Sequence, residues 1–388
     1  MNALQLILKK RRYFGPAWVF ASLNIMIGTW VLYIPQVKEK LQIDDAQLGI
    51  ALFCLALGTL FMITLSPIII KLIGVGRATL FSILIFSLLF LIPTIVESYL
   101  AFCISLFVVG LAGCLTDVAM NALVSEIEIE DNVHFMSASH GFFSLGGVIG
   151  AGIGSLLIEY FEIAILHLAC MATCVIISNL MLARTYISIR AMHKEKETRS
   201  KLFKLCKPLF GLSIIAFLIM GSEGAIEHWS KLYLQDIMAI SSEKISGLGF
   251  VAFSALMTGG RFLGDQVSKR FGSFSIIIVG SSIGLLGFIA VLVSQIWITI
   301  IGFGLVGFGF SIIIPELFRL AGKTKGISAA QGISFVAGFG YLGFLISPPI
   351  LGFLSKIESL HLSFTVLLFW TLLTVIITFF LKKRDKPN

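Results

Sequence analysis

The chain has 388 residues, of which 57% are hydrophobic and 13% are charged, and its mean hydropathy is +0.99. Soluble chains carry about twice that share of charged residues, so this composition excludes a water-soluble globular protein and a disordered one. The formal net charge of +8 would suit a nucleic-acid-binding protein, but the basic residues lie mostly at the ends of apolar segments. We therefore expect a polytopic membrane protein that binds no nucleic acid.

A membrane-crossing helix needs about 20 apolar residues, and twelve segments meet that requirement in two sets of six. The first six predicted spans are 15–36, 46–70, 78–96, 98–125, 135–158 and 162–185. The second six are 208–234, 246–266, 273–294, 296–320, 327–354 and 360–381. The sequence thus predicts an all-α membrane protein with an N-terminal bundle over 1–187, a linker over 188–207 and a C-terminal bundle over 208–388.

The distribution of basic residues predicts the orientation. Of the 29 lysines and arginines, 24 lie at span ends on the side of the N-terminus and five lie on the opposite side. Because cytoplasmic loops are enriched in basic residues, we expect a cell inner membrane protein with both termini in the cytoplasm, in contact with anionic lipids. The first span is too long for a signal peptide and contains Pro16, so we predict a retained helix. The linker is then cytoplasmic, as an amphipathic helix on the membrane or as a solvated tether.

The two halves of the chain echo each other. Lys71-Leu72-Ile73-Gly74 and Lys269-Arg270-Phe271-Gly272 are 198 residues apart, and Trp30 and Trp229 are 199 apart. Repeated halves around a site near the membrane midplane are typical of alternating-access transporters.

This layout resembles the major facilitator superfamily, and a loop sequence strengthens the resemblance. Gly260-Arg261-Phe262-Leu263-Gly264-Asp265, followed by residues 269–272, is similar to the motif that the family carries between helices 8 and 9. The resemblance implies the fold of that family and conformational gating. The gating residues that it implies are Gly260, Arg261, Gly264, Asp265, Lys269, Arg270 and Gly272.

Three shorter segments, 117–121, 139–141 and 223–230, look like those of uncharacterised bacterial permeases of the YbjJ type, which are distantly similar to fucose permease. That resemblance favours uptake. The fifth span carries an imperfect copy of the glycine–proline motif associated with antiporters, with Ala151 at the position expected for proline. Export therefore stays open beside uptake.

Ionisable residues inside a bilayer are costly, and each one is a candidate for function. Asp117 precedes Asn121 by one turn in the fourth span, and Glu223 precedes Glu227 by one turn in the seventh. We predict that Asp117, Glu223, Glu227 and, from the fifth span, His140 carry or relay protons. The structural alternatives are a carboxylate held by Asn121, an ion pair of Glu227 with Lys231, and a packing role for His140.

Polar and aromatic residues in several spans form the predicted substrate-binding site. Its members are Asn24, Trp30, Asn121, Glu223, Trp229 and Gln331. Hydrogen bonds between helices are the alternative for the amides, and anchoring at the membrane interface is the alternative for the tryptophans.

Three other groups of residues have simpler predicted roles. Glu316 and Arg319 have the spacing of an ion pair near the inner end of the tenth span, where they would act in gating. His167 has no polar residue nearby in the sequence and is expected to serve packing. The acidic stretch over 126–131 is expected to be a solvated turn.

The sequence contains no phosphate loop, no nucleophile elbow and no His, Glu or Cys spacing typical of a metal site. We therefore expect no enzyme activity, cofactor, metal or ATP-driven pumping. The leading hypothesis is a monomeric secondary transporter that moves a small polar solute by alternating access, driven by proton symport. The alternatives are a proton antiporter that exports a metabolite, siderophore or drug, a membrane-embedded enzyme or lipid scramblase, and a sensor that does not transport.

Overall fold

The computed structural model describes residues 3–161, 163–190, 202–324, 327 and 329–385. Within these residues the regular secondary structure is helical, and twelve helices are long and apolar enough to cross a membrane. All twelve predicted spans and the all-α fold are confirmed. The chain divides into two compact units, Met1–Lys194 with Ser241–Val251 (unit 1) and Glu195–Ile240 with Ala252–Asn388 (unit 2). Most of the predicted linker over 188–207 lies outside the described residues.

Unit 1 contains the first six membrane helices. They are α1 (Arg11–Val31), α2 (Asp45–Ile73), α3 (Val75–Ile95), α4 (Tyr99–Asp131), α5 (Ala138–Tyr160) and α6 (Ala164–Thr185). Two short helices, Ala3–Lys9 and Ile34–Lys40, flank α1. A π-helical segment, Val148–Ile153, interrupts α5 at its glycine-rich motif.

Unit 2 contains most of the other six membrane helices. They are α7 (Pro208–Asp236), α8 (Glu243–Leu263), α9 (Ser273–Leu292), α10 (Ile296–Gly322), α11 (Gln331–Ile357) and α12 (Leu360–Lys383). The first nine residues of α8, up to Val251, belong to unit 1. Many large apolar side chains on these helices and on those of unit 1 are exposed, as a helix surface in contact with lipid requires.

Close helix crossings repeat the same pattern in both units. In unit 1, a Cβ atom at Gly146 of α5 would collide with the Ala21 carbonyl of α1. In unit 2, a Cβ atom at Gly343 of α11, 197 residues later, would collide with the Phe217 carbonyl of α7. Glycine lets the two backbones approach closely enough to pack in lipid, where helix association depends on van der Waals contact. The internal repeat predicted from sequence therefore extends to the packing inside each unit.

The acidic stretch over 126–131 is not a solvated turn, because α4 continues through it to Asp131. Arg12, at the start of α1, donates to Asp131 Oδ2 and Glu130 Oε2, both at 2.7 Å. Glu128 Oε1 accepts hydrogen bonds from the backbone N–H groups of Phe135 and Met136, at 2.5 and 2.8 Å. These carboxylates therefore connect α4 to α1 and to the residues just before α5.

Candidate functional site

Asp117 lies within α4, where its side chain contacts the same helix one turn later. Asn121 donates from Nδ2 to Asp117 Oδ1 at 3.2 Å and to the Asp117 carbonyl at 2.8 Å. The prediction that the two residues share one face is therefore confirmed. Both residues are partly exposed. The amide orients the carboxylate without neutralising it, because an amide N–H carries no formal charge.

Two further predicted site residues lie where α1 packs on α5. Asn24 is buried, and its Nδ2 donates to the carbonyl of Phe143 at 2.9 Å. Asn24 thus bridges the two helices, as its structural alternative predicted, while its buried Oδ1 has no hydrogen-bond partner in the described part of the chain. His140 is exposed, and its ring meets that of Phe20 edge-on at a centroid distance of 5.1 Å.

The repeated tryptophans are both fully buried. Trp30 packs against Phe90 and Phe102, with ring centroids 5.9 and 6.3 Å apart. Trp229 on α7 is likewise sealed from solvent, and each indole Nε1 lacks a hydrogen-bond partner among the described residues. In this conformation neither ring exposes a surface to a solute, so contact with a substrate would require the helices to move.

Glu223 and Glu227 form the acidic face of α7. The two carboxylates lie one turn apart and within electrostatic range of each other. Glu223 Oε1 is buried without a hydrogen-bond partner in the described residues. Glu227 Oε1 lies 3.9 Å from His228 Nε2, which is too far for a hydrogen bond, and its side chain keeps 16% of its surface exposed. The two acids are therefore close together, and Glu227 remains accessible.

Arg261 on α8 lies within electrostatic range of Glu223. Arg261 is one of the residues expected in the gating loop, and its proximity to Glu223 was not predicted. The lengths of the two helices indicate that Glu223 and Arg261 lie at similar depths. At 1.5 Å per residue, Glu223 lies roughly 20 Å before the end of α7, and Arg261 lies roughly 27 Å after the start of α8. A long arginine side chain can cover the difference in depth between two helices that are joined by a short loop.

The other predicted gating residues lie toward the far end of α8 and in α10. A Cβ atom at Gly260 would collide with Ser311 Oγ, so this glycine permits close packing of α8 on α10. Gly272 has φ +75°, in the left-handed region, as Gly74 has in the first half. Glu316 is nearly fully buried and forms the predicted ion pair with Arg319 at 3.3 Å. The surroundings of Gly264 and the side chains of Asp265, Lys269 and Arg270 are not described by the structure.

Unit 1 contains two polar contacts that the sequence analysis missed. His167 Nδ1 lies 2.8 Å from the hydroxyl of Tyr33, so the expectation that His167 has only apolar company is wrong. Lys244, in the part of α8 that belongs to unit 1, lies with its Nζ 2.6 Å from Glu159 Oε2 at the end of α5. Both contacts join residues far apart in sequence, and no local pattern indicates them.

The remaining polar candidate is Gln331 at the start of α11, which is partly buried and engaged in a polar contact. Among the described residues, no group of three or more His, Cys, Asp or Glu side chains is arranged to hold a metal ion. The chemistry that the site offers is thus that of carboxylates, amides and a guanidinium within membrane helices.

The fold is similar to that of solved transporters. The nucleoside transporter NupG matches with a TM-score of 0.70 over all of this chain and all of its own, at 14% identity. A bacterial homologue of the human lysosomal transporter Spinster matches with a TM-score of 0.72 over 98% of this chain and all of its own, at 14% identity. At these identities the likeness establishes the fold alone.

Relatives by sequence cover most of the chain. An uncharacterised MFS-type transporter of Yersinia pestis is 29% identical over 89% of this chain and 89% of its own length. Membrane protein MosC of Rhizobium meliloti is 28% identical over 91% of this chain and 86% of its own. The Major Facilitator Superfamily sequence profile matches residues 17–330. The chain therefore belongs to the Major Facilitator Superfamily, and it is a multi-pass membrane transporter and not an enzyme.

Proposed function

We propose that this chain is a proton-coupled symporter that moves a small polar solute across the inner membrane by alternating access. The observation that carries the proposal is the carboxylate pair Glu223 and Glu227 inside α7, a membrane helix. Two like charges at close range in a desolvated site favour binding of a proton or another cation. Such a site can take up a proton on one side of the membrane and release it on the other.

The other carboxylate of the proposed coupling machinery is Asp117, which Asn121 orients in α4. In this proposal His140 relays protons at the inner end of α5, and Glu316 with Arg319 acts in gating. The glycine-rich loop 260–272 also acts in gating. The solute contacts Asn24, Asn121, Glu223 and Gln331, with Trp30 and Trp229 as aromatic neighbours that become available when the helices move.

Proton-driven export is the second candidate, and α5 supplies its observation. The antiporter-like glycine motif of α5 packs on α1 and contains a π-helical segment around Ala151, where the motif expects proline. A π segment lets a helix bend at a defined place, as a proline does. Uptake remains the first proposal, because segments 117–121, 139–141 and 223–230 resemble permeases that are distantly similar to fucose permease.

The experiment is transport by purified protein in proteoliposomes of known orientation. A metabolite panel is first screened for thermal stabilisation of the protein, and stabilising solutes are then tested for flux. We expect the solute to accumulate inside the vesicles only when an inward proton gradient is present. A protonophore should abolish this accumulation. Movement of the solute out of the vesicles, driven by an inward proton gradient, would favour export. Solute flux that does not depend on the proton gradient would refute proton coupling.

A further inference from the structure

We propose that Cys54 of α2 and Cys103 of α4 form a reversible disulfide bond, so that unit 1 carries a redox-sensitive site. The co-reactant is an oxidant that itself contains a disulfide bond. This inference uses residues of unit 1 alone and does not rest on the proposed transport function.

The backbones of α2 and α4 touch at a glycine crossing. A Cβ atom at Gly58 of α2 would collide with the Phe107 carbonyl of α4, and a Cβ atom at Gly110 of α4 would collide with the Leu55 carbonyl of α2. Glycine on both helices therefore removes the side chains that would otherwise hold the two backbones apart.

The same two helices are also in contact nearer their starts. The Tyr99 hydroxyl of α4 donates to the Gln47 carbonyl of α2 at 2.9 Å. The contacts follow each other in the same order along both chains, so α2 and α4 run side by side in the same direction. Cys54 and Cys103 lie between this contact and the glycine crossing.

The two cysteines share the helix faces that make the crossing. Cys54 precedes Gly58 by four residues and Cys103 precedes Phe107 by four, which places each cysteine one turn earlier on the same face. The two thiols interact with each other, and the Tyr99 hydroxyl interacts with the Cys103 thiol. A disulfide needs Cα atoms about 4.4–6.8 Å apart, and a crossing without intervening side chains allows that approach.

Both thiols are accessible and lie near the starts of their helices. Each cysteine is partly exposed. At 1.5 Å per residue, Cys54 lies roughly 14 Å from the start of α2, and Cys103 lies roughly 6 Å from the start of α4. In the predicted orientation these helix starts face the outside of the cell, and disulfides form and persist outside the cytoplasm.

The reaction is a thiol–disulfide exchange in two steps. The thiolate of one cysteine attacks a sulfur atom of the oxidant, which gives a mixed disulfide and releases one thiol. The thiolate of the second cysteine then attacks the protein sulfur of the mixed disulfide, forms the bond between Cys54 and Cys103, and releases the second thiol. The two cysteines lose two electrons and two protons, and the oxidant is reduced to two thiols.

The test uses the full-length protein with alanine at the other four cysteines, Cys114, Cys170, Cys174 and Cys206. The purified protein is treated with 2,2′-dipyridyl disulfide, which is lipid-soluble, and its intact mass is measured. We expect the loss of two hydrogen atoms with no added pyridylthio group, and recovery of the original mass after reduction. The bond closes a loop of 50 residues, so the oxidised protein should have the higher unfolding temperature.

The matched control keeps Cys170 and Cys174 and has alanine at the other four positions. These thiols are exposed and lie one turn apart on α6. Their Cβ atoms are about 5–6 Å apart, beyond the 3.5–4.5 Å of a disulfide. The control should therefore gain two pyridylthio groups and form no bond within the chain.

Two further measurements guard against an effect of the alanine substitutions. Cys54→Ser and Cys103→Ser, each made in the test protein, should gain one pyridylthio group and show no rise in unfolding temperature. In the oxidised wild type, proteolysis should release a disulfide-linked pair of peptides that contain Cys54 and Cys103.

Four results would overturn the inference. They are two pyridylthio groups retained on Cys54 and Cys103, no reaction of either thiol, a bond that joins two chains, and equal cross-linking in the α6 control. An unchanged unfolding temperature of the cross-linked protein would also contradict it, because the bond would then not fit the native packing of α2 on α4.

Discussion

At the level of single residues, the proposed function depends on carboxylates inside membrane helices. In unit 1, Asp117 accepts a hydrogen bond from the uncharged amide of Asn121. In unit 2, Glu223 and Glu227 lie one turn apart on α7, and Arg261 is within electrostatic range of Glu223. A charge in such a position is retained against a cost of several kcal/mol, which is why these residues carry the predictions.

Asp117→Asn should uncouple transport from the proton gradient. The amide cannot exchange a proton at physiological pH, yet it keeps the shape of the side chain and its hydrogen bond to Asn121. We expect gradient-driven accumulation to fall to background while solute exchange across the membrane continues. Counterflow and gradient-driven uptake, measured on the same proteoliposomes, separate the two. Full accumulation by the variant would show that Asp117 carries no coupled proton.

Arg261→Met should destabilise the protein more than Glu223→Gln does. Removing the guanidinium takes the opposite charge away from Glu223, and the loss of one partner of a buried ion pair costs about 3 kcal/mol or more. The double variant should recover much of that loss, because the Glu223 charge is then also absent. Thermal unfolding of the wild type, the two single variants and the double variant gives the coupling energy. Additive effects would mean that Arg261 and Glu223 do not stabilise each other.

At the scale of helices, most of the architecture could be predicted because span length and apolar content are local properties. All twelve spans follow from the requirement for about 20 apolar residues. The end of α4 was placed too early because acidic residues after 125 suggest a turn, whereas Arg12 pairs with two of them and the helix continues to Asp131. The π segment of α5 has no signal in the sequence beyond its glycines.

Gly146→Val should loosen the packing of α5 on α1. The added side chain collides with the Ala21 carbonyl, and backbone cannot give way cheaply. We expect a loss of about 1–3 kcal/mol of stability, the usual range for overpacking. Gly343→Val should act similarly in unit 2, against the Phe217 carbonyl.

Gly338→Val is the matched control for these helix crossings, because it makes the same change where a Cβ atom has no heavy atom within 4 Å. Its unfolding temperature should stay close to that of the wild type. A control as unstable as Gly146→Val would show that the loss reflects a general intolerance of glycine substitution and not the two crossings.

At the scale of the whole molecule, family and fold could be predicted from the count of spans, the repeat and the loop motif, and the match over residues 17–330 establishes the family. The relation of Glu223 to Arg261 was not predicted from the sequence. The similar depth of the two residues follows from their distance to the loop between α7 and α8, but the rotation of each helix about its axis is not encoded in a local pattern. Orientation rests on the distribution of 24 against five basic residues.

That orientation makes a prediction of its own. Reporters fused to either terminus should be active only if they function in the cytoplasm, because the basic span ends stay on that side. Single cysteines at Lys38 and Lys356, which belong to the five opposite residues, should react with a membrane-impermeant thiol reagent added to intact cells. A native-cysteine-free background is the control. Labelling that occurs only after the cells are broken would mean that these two positions face the cytoplasm, and that the predicted orientation is wrong.

In the proposed mechanism, solute and protons move together through carboxylates inside the membrane helices. A direct test is the internal pH of proteoliposomes when a gradient of a stabilising solute is imposed without any proton gradient. Inward solute movement should acidify the interior, and Asp117→Asn should abolish the pH change while exchange persists. Solute entry with an unchanged internal pH in the wild type would contradict it.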